Sequence, residues 1–319
     1  MRGLFDRGRL QIKPLSHRNH DLNISAIGPV AGSTLHLEAM RSVASRIIDA
    51  KRNSKPIIMM IGGHVIRAGV QRYLIDLMEN GYITCLSMNG SGMIHDFEFA
   101  LIGATTESVA RYIINGQFGL WKETAILNDI INESYKNEET PCMGDSVGRA
   151  MLNMNLPNAD ISILAAAQRL NVAVTVHVGI GYDIIHEHPN CNGAATGALS
   201  YNDFLRLASI MEALEGGVVM CFGSAVMAPE VFLKALSMAR NTAASKGSSI
   251  NRFTTLVCDL HNLPDNYKVE ASKDAPAYYF RPYKTMLVRT VADGGESFYV
   301  RGMHSDTIAS LWSAINEAG

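Results

Sequence analysis

Residues Pro56 to Glu107 read PIIMMIGGHVIRAGVQRYLIDLMENGYITCLSMNGSGMIHDFEFALIGATTE, and this stretch decides the fold. Ile57 to Ile61 is a short unbroken apolar run, the pattern of a strand buried on both faces of a parallel sheet. Gly62-Gly63 breaks it, and Val65, Gly69, Val70, Leu74, Leu77 and Met78 then recur at helical spacing. A second unit follows the same plan, with Tyr82 to Met88 as strand, Asn89-Gly90-Ser91-Gly92 as turn and a helix from about Met93. Turns at the carboxyl ends of parallel strands present backbone N–H groups and helix N-termini, where open α/β sheets bind phosphate-bearing ligands. Glycines at strand ends are also ordinary turn chemistry, so nucleotide binding and simple chain reversal both remain open at this point.

Composition narrows the function classes. With 47% hydrophobic and 18% charged residues over 319 positions, the chain can bury a large core. A net charge of −2 supplies no basic excess to neutralise phosphates, so nucleic acid is not an expected partner. No run approaches the apolar length of a membrane helix, and a membrane is not an expected partner either. The charged start, MRGLFDRGRLQIKPLSHRNHD, lacks the apolar core of a signal peptide, so a cytoplasmic protein is expected. Cys85, Cys142, Cys191, Cys221 and Cys258 are odd in number and widely spaced, which fits free buried thiols better than disulfides.

Helices and strands alternate almost to the end of the chain. Helices are expected near 34–51, 107–115, 121–135, 145–155 and 161–170, and strands at 172–178, 218–222, 253–260 and 285–291. Ser200 with Asp203 looks like a capped helix start, Pro229 suits the first turn of a helix over 230–241, and 306–318 closes the chain as a helix. Methionines such as Met59, Met60, Met211 and Met220 read as core filler. The expected architecture is α/β, a doubly wound and mostly parallel sheet in one domain over residues 1–319, with 1–33 as an irregular extension.

Several segments together resemble deoxyhypusine synthase. They are His64–Phe97, Asn115–Phe118 with Trp121-Lys122-Glu123, Ile180–Ile185, Gly217–Val226, and Val291–Gly295, in that family's order. The resemblance spans roughly 57–311 and implies a Rossmann-like NAD-binding fold of the deoxyhypusine synthase type, in a homotetramer or homodimer. It implies cofactor contacts at Gly63, His64, Val65 and Ile66 on the first turn, Asn89, Gly90 and Ser91 on the second, and Asp293 and Gly294 on the last. Asp183 falls on an acidic position that holds a cationic polyamine. The chain departs from that family at the catalytic lysine, since no lysine follows Lys284. A Schiff-base relay needs such a lysine. The implied activity is therefore NAD-dependent chemistry on an amine or amino acid, a transferase or oxidoreductase that does not form deoxyhypusine. Lys284 itself reads as a solvated loop residue.

Tyr182-Asp183-Ile184-Ile185-His186-Glu187-His188-Pro189-Asn190-Cys191 is the second concentration of chemistry. In an extended segment His186 and His188 would share one side, and either would suit proton transfer beside Asp183. Two other readings stand beside the enzyme: a nucleotide-binding homologue without chemistry, and a metal-dependent enzyme using Asp183, His186, His188 and Cys191. The spacing matches no established metal motif, and no metal is expected.

Overall fold

The computed structural model describes residues 3–319. In chain order the strands and α-helices are β1 (Leu22–Asn23), α1 (Leu37–Arg52), β2 (Ile57–Ile61), α2 (Gly63–Arg67), α3 (Gln71–Glu79), β3 (Cys85–Asn89), α4 (Gly90–Ile102), β4 (Ala104–Thr105) and α5 (Val109–Tyr112). They continue with α6 (Ile126–Asn137), α7 (Met143–Asn153), α8 (Ile163–Arg169), β5 (Ala173–His177), α9 (Gly193–Met211), β6 (Val218–Phe222), α10 (Met227–Ser245), β7 (Thr254–Asp259), β8 (Glu296–Arg301) and α11 (His304–Ala318). β1 and β4 form a small antiparallel ladder. The other six strands form one sheet in the order β5-β3-β2-β6-β7-β8, and every pairing is parallel. This is the doubly wound, Rossmann-like α/β architecture. The chain starts at the centre on β2, moves outward through β3 to β5, then returns beside β2 as β6 and moves out the other way.

The central strand shows why the sequence adopts this form. All five residues of β2 are buried. Ile57, Met59 and Ile61 join one apolar cluster with α1, α3, α4 and α11, while Ile58 and Met60 join a second with α9 and α10. Period-two side chains with both faces covered require an unbroken apolar run, and Met59, Met60, Met211 and Met220 are indeed core residues. All five cysteines are free, and burial pushes Cys85 and Cys221 up to about 12, so these thiols are packing groups. Among the described residues no helix is long and apolar enough to cross a membrane.

Several boundaries differ from expectation for local reasons. α1 begins at Leu37 rather than near 34 because His36 holds a left-handed φ of 58°. α4 begins at Gly90, not Met93, because the Asn89 side chain caps it by accepting from the Gly92 N–H at 3.0 Å. Ser200 is not a cap, since α9 starts seven residues earlier under Asn192, which accepts from the N–H groups of Ala194 and Ala195. Ser200 Oγ instead donates to Val176 O at 2.8 Å. Asp203 is buried and accepts from the N–H groups of Gly144 (3.0 Å) and Val176 (2.8 Å), and burial pushes its carboxyl up to about 7. The largest miss is 285–291. It is a π-helical turn over Tyr283–Arg289 and not a strand; the sixth strand of the sheet is β8. Contiguous burial from Tyr283 to Leu287 mimics a buried strand, an ambiguity inherent in short apolar runs.

Candidate functional site

Because all six strands of the sheet run the same way, the turns after β2, β3, β5, β6 and β7 open on one edge. β2 and β6 are the neighbours at which the winding reverses, the position where such sheets form their ligand crevice. Their ends approach so closely that a Cβ at Gly62 would overlap the Gly223 carbonyl, and the Gly62 N–H donates to Phe222 O at 3.1 Å. Three lobes meet around this point. One, of about 410 Å³, is lined by Asp21, His64, Arg67, Thr106, Gly223, Asp259 and His304 among others. A second, of about 420 Å³, includes Asn89, His177, Tyr182, Asp183, Gly223, Ser224 and Met227. The third, about 260 Å³, includes Arg18, Arg67, Ser91, His95, Phe118, Tyr182 and Asp183. Thr106 borders two lobes in a left-handed conformation (φ 67°), a strained setting for a β-branched residue, and its buried Oγ1 has no hydrogen-bond partner.

Asp183 is the most distinctive group. The loop after β5 carries it back onto the N-terminus of α4, where a Cβ at Gly90 would overlap its carboxylate. The residue is 8% exposed, and among the described residues its Oδ2 is buried without a partner. Burial pushes the carboxyl up to about 6, against the opposing pull of the Ser91 N–H. Gly63 closes the same corner, since a Cβ there would sit 2.5 Å from Ser91 Oγ. His95 and His177 are pushed down to about 4 by burial and are neutral at physiological pH.

Beneath the smallest lobe lies a buried ion pair. Arg18 donates to Glu98 through both terminal nitrogens, at 2.9 and 2.8 Å, with side chains 1% and 2% exposed. Thr105 and Thr124 hydroxyls donate to the same carboxylate at 2.7 and 2.8 Å. Burial alone would raise the Glu98 carboxyl, but the bonds from Arg18 and the two threonines outweigh it and hold it below the ordinary value. Glu107 is likewise committed, accepting from the Gly119 N–H (2.9 Å) and Trp121 Nε1 (2.8 Å).

The structure brings Gly63, His64, Asn89, Gly90, Ser91 and Asp183 to this edge. Val65 and Ile66 are fully buried in α2, so their side chains are core and not cofactor contacts. Asp293 and Gly294 stand at the opposite edge of the sheet, because they precede β8; Gly294 borders an amino-end groove with Arg46, Lys55 and Arg252. No single ligand spans Gly63, Gly90 and Gly294. His186 and His188 do not share a side, since Ile184–Glu187 is a 3₁₀ turn rather than an extended segment. His188 is 1% exposed and bonded through Nε2 to Gly119 O at 2.9 Å, while His186 Nδ1 accepts from the Gly181 N–H at 3.2 Å. Neither lines the lobes. Among the described residues no three His, Cys, Asp or Glu side chains gather as a metal site. Lys284 is not a solvated loop lysine; it is 6% exposed with Nζ 3.8 Å from the Tyr278 ring centre. Arg67, Asp259 and His304 carry no local signal in the sequence, whereas Gly223 lies in the Gly217–Val226 segment and ends an apolar run.

No family model matches the chain, and no curated protein matches it. Solved structures do share its fold. The ternary complex of AgrE with ornithine and NAD+ superposes with a TM-score of 0.51 and 12% identity over 91% of this chain and 34% of that one. A conserved LOR/SDH protein from Methanococcus maripaludis S2 gives 0.52 and 13%, over 91% and 70%. The chain thus spans about a third of the length of AgrE. A structure described as a deoxyhypusine synthase, from Entamoeba histolytica, reaches only 0.41 and 10%, over 88% of each chain, and carries no argument about activity.

Proposed function

We propose that this chain is an NAD-dependent enzyme acting on an amine or amino acid, with the cationic nitrogen of the substrate held by Asp183. The observation that carries the reading is the unpartnered, buried Asp183 Oδ2 in a cleft over the carboxyl ends of a dinucleotide-type parallel sheet. A buried carboxylate without a protein cation is costly unless a ligand supplies the charge. The likeness to AgrE, crystallised with ornithine and NAD+, supports the same direction.

The residues present fit a dinucleotide, though not at every turn expected from sequence. The N-terminus of α4 already carries the Asn89 cap and the Asp183 carboxylate, which would repel a phosphate there. The N-terminus of α10 carries a cap from Ser224 Oγ, which accepts from the Ala228 N–H at 3.1 Å, but no carboxylate is seated on it, and the Gly223–Met227 loop before it lines the second lobe. NAD would lie across Gly223, joining the two larger lobes, with its phosphates toward α10. When bound, it supplies a hydride acceptor for the carbon that carries the nitrogen. Asp183 fixes that nitrogen, Tyr182 and Phe118 wall the substrate, and His64, exposed on the wall of the first lobe, takes the role of proton acceptor that His186 and His188 cannot reach. Among the described residues no lysine lines the three lobes, so no aminobutyl relay is proposed.

Titration calorimetry with NAD and with L-ornithine tests the reading. Asp183→Asn is expected to weaken amine binding by about 10- to 100-fold, the worth of one charge-assisted contact, and to leave NAD affinity unchanged. Weaker NAD binding with amine binding intact would instead make Asp183 an acceptor for a cofactor ribose.

A further inference from the structure

We infer that the 260 Å³ lobe is built for an amino acid, with the carboxylate of the ligand on Arg67 and its cationic nitrogen on Asp183, and that it discriminates against polyamines. The inference rests on the proposed function and names the substrate class within it.

The charges of the lobe are the basis. Five carboxylate or guanidinium side chains line it: Arg18, Arg67, Glu98, Glu107 and Asp183. Arg18 and Glu98 neutralise each other through two hydrogen bonds, and both oxygens of Glu107 accept from Gly119 and Trp121. Two groups are left. Asp183 is nine-tenths buried with Oδ2 unpartnered, and Arg67, among the described residues, forms no ion pair. The nearest polar contact of Arg67 is His64 Nε2 at 3.5 Å. One uncommitted anion and one uncommitted cation therefore face a single small cavity.

Their spacing suits a short zwitterion. Asp183 sits against the Gly90–Ser91 turn, and the Cβ position of Gly63 is 2.5 Å from Ser91 Oγ. Arg67 follows Gly63 by four residues on α2, roughly 6 Å along a helix. Ile94, Val109, Phe118 and Ile184 supply apolar walls between the two charges, as an aliphatic chain requires. Guanidinium meets carboxylate in a bidentate geometry that an amine cannot reproduce. A diamine or polyamine would satisfy Asp183 with one nitrogen, place further positive charge near Arg67, and find no second free carboxylate.

The test uses the full chain with NAD present, titrated with L-ornithine, with 1,4-diaminobutane (ornithine without its carboxyl) and with spermidine. Wild type is expected to bind ornithine at least about tenfold more tightly than either polyamine, one lost charge-assisted contact being worth that much. Arg67→Gln is expected to erase the difference, by weakening ornithine and by relieving the repulsion that diaminobutane meets at Arg67. Arg67 is exposed, so the substitution does not threaten folding. Equal or tighter polyamine binding by wild type overturns the inference; if Asp183→Asn then weakens the polyamine, the proposed function survives. Loss of NAD affinity in Arg67→Gln would also overturn it, by making Arg67 a phosphate donor. Absence of binding by all three amines removes both the inference and the reading beneath it.

Discussion

Arg18→Met is expected to destabilise the chain by about 3–5 kcal/mol, measured by urea denaturation against wild type. The substitution deletes both bonds to Glu98 and leaves a carboxylate that is 2% exposed without a cation. Thr105 and Thr124 still donate to it, but two hydroxyls do not replace a guanidinium. Removing both charges, as Arg18→Met with Glu98→Met, is expected to recover most of the loss, because the penalty arises from the stranded charge rather than from the absent pair. A loss below about 1 kcal/mol for the single variant would mean that water reaches Glu98 and that the floor of the small lobe is open. The pair also ties the segment before β1 to α4, so its loss should loosen one wall of the cleft.

Gly90→Ala is expected to reduce amine affinity by about 10- to 100-fold while NAD affinity holds, because the new methyl displaces Asp183 from its seat on α4. Read from the sequence, a side chain at Gly90 would block the approach of the cofactor. In the structure the space beside Gly90 belongs to Asp183. The two accounts therefore assign the same glycine opposite losses: cofactor in one, amine in the other. Unlike Asp183→Asn, the variant keeps the negative charge and moves it, so calorimetry on both separates the need for charge from the need for position. A fall in NAD affinity alone would restore the cofactor account of this turn.

The legible parts of the fold were those in which burial on both faces leaves no choice of pattern. Ile57–Ile61 and Val218–Phe222 are unbroken apolar runs ended by glycine, and they are the strands at which the winding reverses. The same rule failed at 285–291, where a π-helical turn buries consecutive residues as a strand would. β8 escapes that rule because it lies at the sheet edge and mixes exposed, half-buried and buried positions, with no unbroken apolar run.

The position of the candidate site was legible where chemistry and turn coincided in the sequence, at Gly63, His64, Asn89, Gly90, Ser91 and Asp183, which the fold gathers at one edge. His186 and His188 drew attention by their spacing, yet a 3₁₀ turn separates their directions and Gly119 O satisfies His188. Arg67 looked like any surface arginine on a helix. Its significance depends on Glu98 having already claimed Arg18, 80 positions away in the chain, and no local pattern reports that. Asp293-Gly294 resembled a cofactor turn but precedes its strand, and which end of a strand a turn occupies depends on locating the strand first.

A crystal structure of the full chain grown with NAD tests the central claim most directly. The dinucleotide is expected across the carboxyl ends of β2 and β6, over Gly223, with its phosphates at Gly223–Met227 and the lobe beside Asp183 left free for the amine. Dinucleotide in the amino-end groove beside Gly294, or no binding at saturating NAD, would contradict it.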